Sequence, residues 1–117
     1  MIYEQKTGRI ISESGSIYGI GYSGAGAGKN NPEMQEVHNV GPLPRGKYHI
    51  GEPYNSLHTG PFTIPLIPFP ENEMFGRDQF KIHGDDGHGT GSEGCICTDR
   101  HTREDINNCT DKTLNVI

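Results

Sequence analysis

The sequence predicts a mainly β domain with one short C-terminal helix, on three observations. Glycine and proline are abundant, 17 and 8 of 117 residues, while 31% of residues are hydrophobic and tryptophan is absent. That composition suits short strands and many turns rather than a helical bundle. Apolar residues alternate in brief runs bounded by turn-forming pairs, the period of strands. Residues 98–108 read as the one short helix, with a closing strand over 113–117. A chain of this length supports one domain, residues 1–117, around a single modest core.

Taken in order, residues 2–5 and 9–12 form two strands around the turn Thr7-Gly8. Residues 17–22 make a third strand, before the run Gly24-Ala25-Gly26-Ala27-Gly28, read as a mobile loop near the substrate cleft. Residues 46–50 alternate as a strand whose approach Pro42 and Pro44 stiffen. Residues 51–61 are turn-rich. Over 61–70 prolines interrupt the apolar residues, which bars a central strand and predicts an edge or a covering loop. Met74-Phe75-Gly76-Arg77 turns into a strand over 79–83. There Phe80 and Ile82 share the buried face, while Lys81 and His83 share the other. Neither an internal repeat nor a linker is evident.

The charge balance excludes several partners. A net charge of -5, a pI near 5.6 and the lack of a basic aromatic patch disfavour nucleic acid and anionic lipid. No stretch approaches the ~20 apolar residues that span a bilayer. Residues 1–6 lack the charged-then-apolar layout of a signal peptide. Disorder is opposed by the alternation and the paired turns.

Two binding motifs are weak. Gly19-Ile20-Gly21-Tyr22-Ser23-Gly24 matches GxGxxG, but the glycines that follow cannot supply the helix a dinucleotide site needs. Lys29 is followed by Asn30 rather than Ser or Thr, so a phosphate loop fails too. His83, His88, Cys95 and Cys97 could supply four zinc ligands, yet Cys-x-Cys is a poorer chelate than Cys-x-x-Cys. Asp85-Asp86-Gly87 lacks the remaining acidic ligands of a calcium loop. No metal or organic cofactor is expected. Cys97 and Cys109 either form a disulfide in an oxidising compartment or pack as two thiols.

The chemistry-bearing run is Phe80-Lys81-Ile82-His83-Gly84 followed by Ser92-Glu93-Gly94-Cys95-Ile96. It sets a histidine and a cysteine twelve positions apart, each beside glycine. A thiol attacks as thiolate, and a neighbouring imidazole is the common way to make one near neutral pH. Gly94 permits a sharp backbone turn before Cys95, so that N–H groups can face a developing oxyanion. His83 is preferred over His88, which lies between two glycines with no element to fix its ring. Ser92, Tyr22, Arg77 and Lys81 are the candidate substrate contacts, with Arg100 a further clamp for a carboxylate.

This pattern resembles the catalytic domain of the L,D-transpeptidases (YkuD-like). That family carries a His-Gly step, a loop, then Ser/Thr-x-Gly-Cys before an apolar residue. Residues 41–50 resemble its Pro-x-Gly-x-aromatic-x-Ile strand, and the helix and strand after Cys95 resemble its ending. Tyr22-Ser23-Gly24 and Asn30-Asn31-Pro32 bring the chain nearest to the compact effectors delivered by type VI secretion. Many members carry histidine where Glu93 stands and arginine where Cys97 stands.

The resemblance implies a β-sandwich or barrel and a substrate class of peptidoglycan tetrapeptide stems. Cys95 is then the nucleophile and His83 its base, oriented by the Gly84 carbonyl, with Gly94 at the oxyanion. It further implies an antibacterial effector, working as L,D-carboxypeptidase or in D-amino acid exchange. Such a protein is made in the cytoplasm and acts as a monomer in the periplasm of a target cell. Its partners would be a secretion carrier and a cognate immunity protein. Two alternatives stand beside it, a cell-wall-binding module with a weak or dead site and a zinc-dependent hydrolase.

Overall fold

The computed structural model describes residues 1–85 and 91–117. Ten strands and one helix follow in order: β1 (Ile2–Tyr3), β2 (Arg9–Ile11), β3 (Ile17–Ile20), β4 (Tyr22–Ala25), β5 (Gly46–Ile50), β6 (Tyr54–Ser56), β7 (Gly60–Pro68), β8 (Lys81–His83), β9 (Gly91–Cys97), α1 (Arg100–Asn108) and β10 (Thr113–Val116). The strands run in the order β3-β2-β1-β10-β5-β7-β8-β9-β4, with β6 paired to β7 off that path. Mainly β with one short helix is therefore the architecture.

The N-terminal hairpin forms where Thr7-Gly8 predicts it. Gly8 sits at φ 79°, the left-handed region a tight turn needs, and its N–H donates to the Glu4 carbonyl. The expected third strand is divided at Gly21 into β3 and β4. A Cβ there would come 2.5 Å from the Cys97 carbonyl, so β4 can reach β9 only past a glycine. Beyond it Gly24 and Ala25 extend β4, and Gly26–Gly28 make a single 3₁₀ turn.

The proline-rich stretch is the main correction. It forms β7, an interior strand rather than an edge or a covering loop. Its first residues pair with β6, Ile64 and Pro65 pair with β8, and Leu66 to Pro68 pair with β5. Pro61 falls within the irregular β6 pairing and Pro65 is the last residue before the strand exchanges partners. Pro65 thus lacks a donor where the ladder changes hands and Pro61 lacks one where the register is already irregular, which is how β7 tolerates prolines. A second correction concerns residues 91–97. Given no element from the sequence, they form β9, held between β4 on one edge and β8 on the other.

One core is shared by both halves of the sheet. Tyr3, Tyr48, Ile64, Ile96 and Ile106 are fully buried, so β1, β5, β7, β9 and α1 close over the same apolar interior. Phe80 and Ile82 lie in it, whereas Lys81 and His83 are half-buried on the opposite face, as the alternation requires.

Helix α1 begins at Asp99, whose carboxylate accepts from the Thr102 N–H at 2.7 Å. Hydrogen bonds from the Thr102 hydroxyl and N–H hold that carboxyl below its usual range. Because the folded value is depressed, the stabilisation is complete above about pH 4 and fades as pH falls through the folded value. Asp99→Ala should cost about 1 kcal/mol near neutral pH, the typical loss of an N-cap. Denaturant titrations from pH 7 down to 2.5 should show the variant and the parent converging at the acid end.

Candidate active site

Three strands carry the site. Cys97 on β9 pairs with Tyr22 of β4 on one side and with His83 of β8 on the other. Cys95 lies two residues earlier on β9 and so on the same face as Cys97. His83 and Cys95 line one cleft of about 620 Å³, together with Lys81, Gln79 and His58. A second cleft, of about 650 Å³, lies on the far flank of His83 and is lined by Gly84, Cys97, Tyr22 and Arg103. His83 stands where the two meet.

The imidazole is fixed. Its Nδ1 is 2.8 Å from the Gly84 carbonyl, which accepts a hydrogen bond from Nδ1–H and leaves the Nε2 lone pair as the basic site. The Cys97 sulfur is 3.8 Å from Nδ1 and 3.9 Å from Nε2. Near-equal distances place that sulfur out of line with either nitrogen's lone pair, an unsuitable geometry for proton transfer. Cys97 is also 2% exposed, whereas Cys95 is partly open to the cleft.

Burial pushes the Cys95 thiol up; the Lys81 N–H and ammonium and the Arg77 charge pull the other way, and Glu93 adds to the rise. The net shift is upward, so the resting group is a thiol and its proton must be taken by a base. Its sulfur lies 4.0 Å from the Gln79 carbonyl.

The stretch of β9 ahead of the thiol is organised by two polar side chains. Ser92 Oγ accepts from the N–H groups of Gly24 and Gly94 and donates to the Cys95 carbonyl at 2.6 Å. Ser23 Oγ donates to the Gly94 carbonyl at 2.8 Å and accepts from the Leu43 N–H. Gly94 itself has φ 122°, and a Cβ there would lie 2.5 Å from Nη2 of Arg77 and 2.6 Å from the Phe80 ring. Only glycine fits.

Two expected substrate contacts are therefore something else. The Ser92 hydroxyl borders the cleft but is consumed in shaping the Cys95 loop. Arg77, 6% exposed, turns inward and donates to the carbonyls of Gln35, Gly41, Pro42 and Glu93. A guanidinium so committed positions the Glu93 peptide and has no free fork for a carboxylate. Lys81 keeps its expected place beside Cys95. Tyr22 is at the second cleft; burial, then hydrogen bonding with the side chains of Cys97 and Asp85, pushes its hydroxyl upward. Arg100 stacks over Phe62 at 4.5 Å and pairs with Glu104 at 3.4 Å, away from Cys95.

The Gly94 N–H, expected to face an oxyanion, is spent on Ser92 Oγ at 3.2 Å. His88 and the Asp85-Asp86-Gly87 turn fall partly or wholly outside the described residues. Among the described residues no three His, Cys, Asp or Glu side chains gather as a metal site. No helix of the described chain is long and apolar enough to cross a membrane.

Sequence reasoning set Cys97 beside His83 only within the zinc alternative, and missed Arg103. The signal for the first is the i, i+2 spacing of Cys95 and Cys97, which shares a face only once residues 91–97 are a strand. The signal for the second is α1 itself, whose buried residues are Thr102, Arg103 and Ile106.

No disulfide joins the three cysteines: Cys97 is turned to His83 and Tyr22, and Cys109 is hydrogen-bonded with the Tyr18 side chain. Thiol titration of unfolded, non-reduced protein should find three thiols; finding one would restore the disulfide. Iodoacetamide should label Cys95 slowly at pH 7 and faster as pH passes the ordinary thiol value of about 8.5, because the shift is upward.

Comparison with curated proteins and with solved structures gave no match. A family model, that of the Tlde1 domain, matches residues 19–115, a span that includes the Tyr22 strand, His83, Cys95 and α1. On that match the chain belongs to the Tlde1 domain family, the type VI secretion effectors of L,D-transpeptidase kind.

Proposed function

We propose that this domain is a cysteine L,D-carboxypeptidase and exchange enzyme acting on peptidoglycan tetrapeptide stems. What supports the reading is the pairing of Cys95 with His83 in one cleft, the imidazole held by the Gly84 carbonyl with Nε2 left basic. Nε2 takes the Cys95 proton as sulfur attacks the carbonyl carbon of the third stem residue. The tetrahedral oxyanion is received by N–H groups of the Gly94–Cys95 turn, the Gly94 donor releasing its long bond to Ser92 Oγ. Collapse breaks the amide C–N bond, and the imidazolium returns its proton to the departing D-alanine amine. The thioester is then resolved by water, which removes one residue, or by the amine of a free D-amino acid, which replaces it. In either case His83 takes the incoming proton and Cys95 recovers it.

Incubated with tetrapeptide muropeptides, the protein should release D-alanine, and adding another D-amino acid should give the swapped mass. Cys95→Ala should abolish both products, and His83→Ala should lower the rate by a comparable factor, since the pair acts as a unit. Cys97→Ser should retain turnover. Activity that survived in Cys95→Ala and vanished in Cys97→Ser would transfer the nucleophile to the buried thiol.

The site of action gives a second test. Held in the cytoplasm of a Gram-negative cell the protein should be harmless, since mature stems lie outside the inner membrane. Directed to the periplasm by an export signal it should slow growth and deform cells, and Cys95→Ala should remove that effect. Equal toxicity without Cys95 would favour a binding role over wall editing.

A further inference from the structure

Arg103 is a buried cation whose hydrogen bonds, among the described residues, go to backbone carbonyls and to no carboxylate. It is 7% exposed. Its Nε donates to the Asp99 carbonyl at 3.3 Å, and Nη1 donates to the carbonyls of Pro61 and Phe62, each at 3.0 Å. The nearby acidic groups are otherwise engaged: the Asp99 carboxylate caps α1, and Glu104 pairs with Arg100. Burial, and then the like charge of Arg100, disfavour the charged form. A guanidinium held this way costs free energy unless an anion completes it.

The fork is half used. Nη2 makes none of these bonds and points toward Gly84, where a Cβ would lie 3.0 Å from it. Arg103 lines both the cleft beside Gly84, Cys97 and Asp85 and its neighbour along β4. The Asp85 carboxylate on the same rim is hydrogen-bonded to the Tyr22 hydroxyl. The open donor therefore faces space on the far flank of His83 from Cys95.

In the proposed reaction the leaving amine must take its proton from His83, so the leaving residue lies against the imidazole. Its carboxylate is two bonds from that amine, within one residue length of about 3.5 Å. The bulky acyl half of the stem occupies the Cys95 cleft, which leaves the Gly84 flank for the departing residue. We propose that Arg103 is a specificity-determining residue, its Nη2 binding the terminal carboxylate of the residue that leaves or enters. The enzyme would then act on stems with a free C-terminus and accept free D-amino acids, but not internal peptide bonds. The inference rests on the L,D-carboxypeptidase reading given above.

The competing role is a tether, since Nη1 ties α1 to β7. Two substrates separate the roles: a tetrapeptide ending in a carboxylate and the same peptide ending in a carboxamide. The parent protein should prefer the acid roughly 10- to 100-fold, the span of a charge-assisted hydrogen bond. Arg103→Gln should narrow that ratio to within about threefold, whereas a loosened helix would slow both substrates alike. An unchanged ratio in the variant, or no preference in the parent, overturns the proposal while leaving the peptidase reading intact.

Binding supplies a readout that needs no turnover and no variant. In the folded parent protein, D-alanine should shift the NMR resonances of Arg103 Nε–H and the Gly84 amide, and D-alaninamide should not. Such shifts in a protein that cleaves no tetrapeptide would keep the carboxylate site and sink the peptidase reading. Equal shifts with both probes, or none with either, would sink the site.

Discussion

The site depends on one buried guanidinium. Arg77 collects the carbonyls of Gln35, Gly41, Pro42 and Glu93, and so ties two segments distant in sequence to the strand that carries Cys95. Four carbonyl dipoles make such a cation tolerable without a carboxylate, although burial still disfavours its charge. The constraint extends to the next residue. With Nη2 so close to Gly94, the chain passes that point only at positive φ and only without a side chain. The course of β9 into Cys95 is thus set by a guanidinium committed to the scaffold.

Strand β7 performs the equivalent task at larger scale. By pairing with β6, then β8, then β5, it joins the terminal half of the sheet to the half that bears His83 and Cys95. Its carbonyls at Pro61 and Phe62 also hold Arg103, so one proline-rich strand fixes both the histidine strand and the helix across the cleft. The two arginines are alike in being anchored on carbonyls, but they differ in what remains. Arg77 has spent its fork on the scaffold, whereas Arg103 keeps Nη2 toward open space.

Much of this arrangement was legible in the residues. Alternation placed Phe80 and Ile82 inward and His83 outward, the Thr7-Gly8 turn was where the hairpin closes, and the Gly-Cys step marked a position that admits no Cβ. The failures have a common physical cause. Prolines argue against a strand only when its pairing is uniform, and β7 is irregular in register around Pro61 and changes partner after Pro65. Polar and glycine-rich residues argue against a buried strand only when their hydroxyls lack partners, and in β9 Ser92 bonds to Gly24, Gly94 and Cys95. Arg77 looked like an exposed clamp because four backbone acceptors from separate segments converge only in the folded chain.

Two thiols on one face of β9 have a consequence for durability. Residues two apart along an extended strand have Cα atoms about 6.6 Å apart with parallel side chains. A disulfide wants Cβ atoms near 4 Å, and strand geometry holds Cys95 and Cys97 well beyond that. The ladder that joins β9 to both neighbours would have to break before the two sulfurs could couple. The Cys95 thiol is thereby shielded from coupling to its own neighbour by the rigidity of the backbone that carries both.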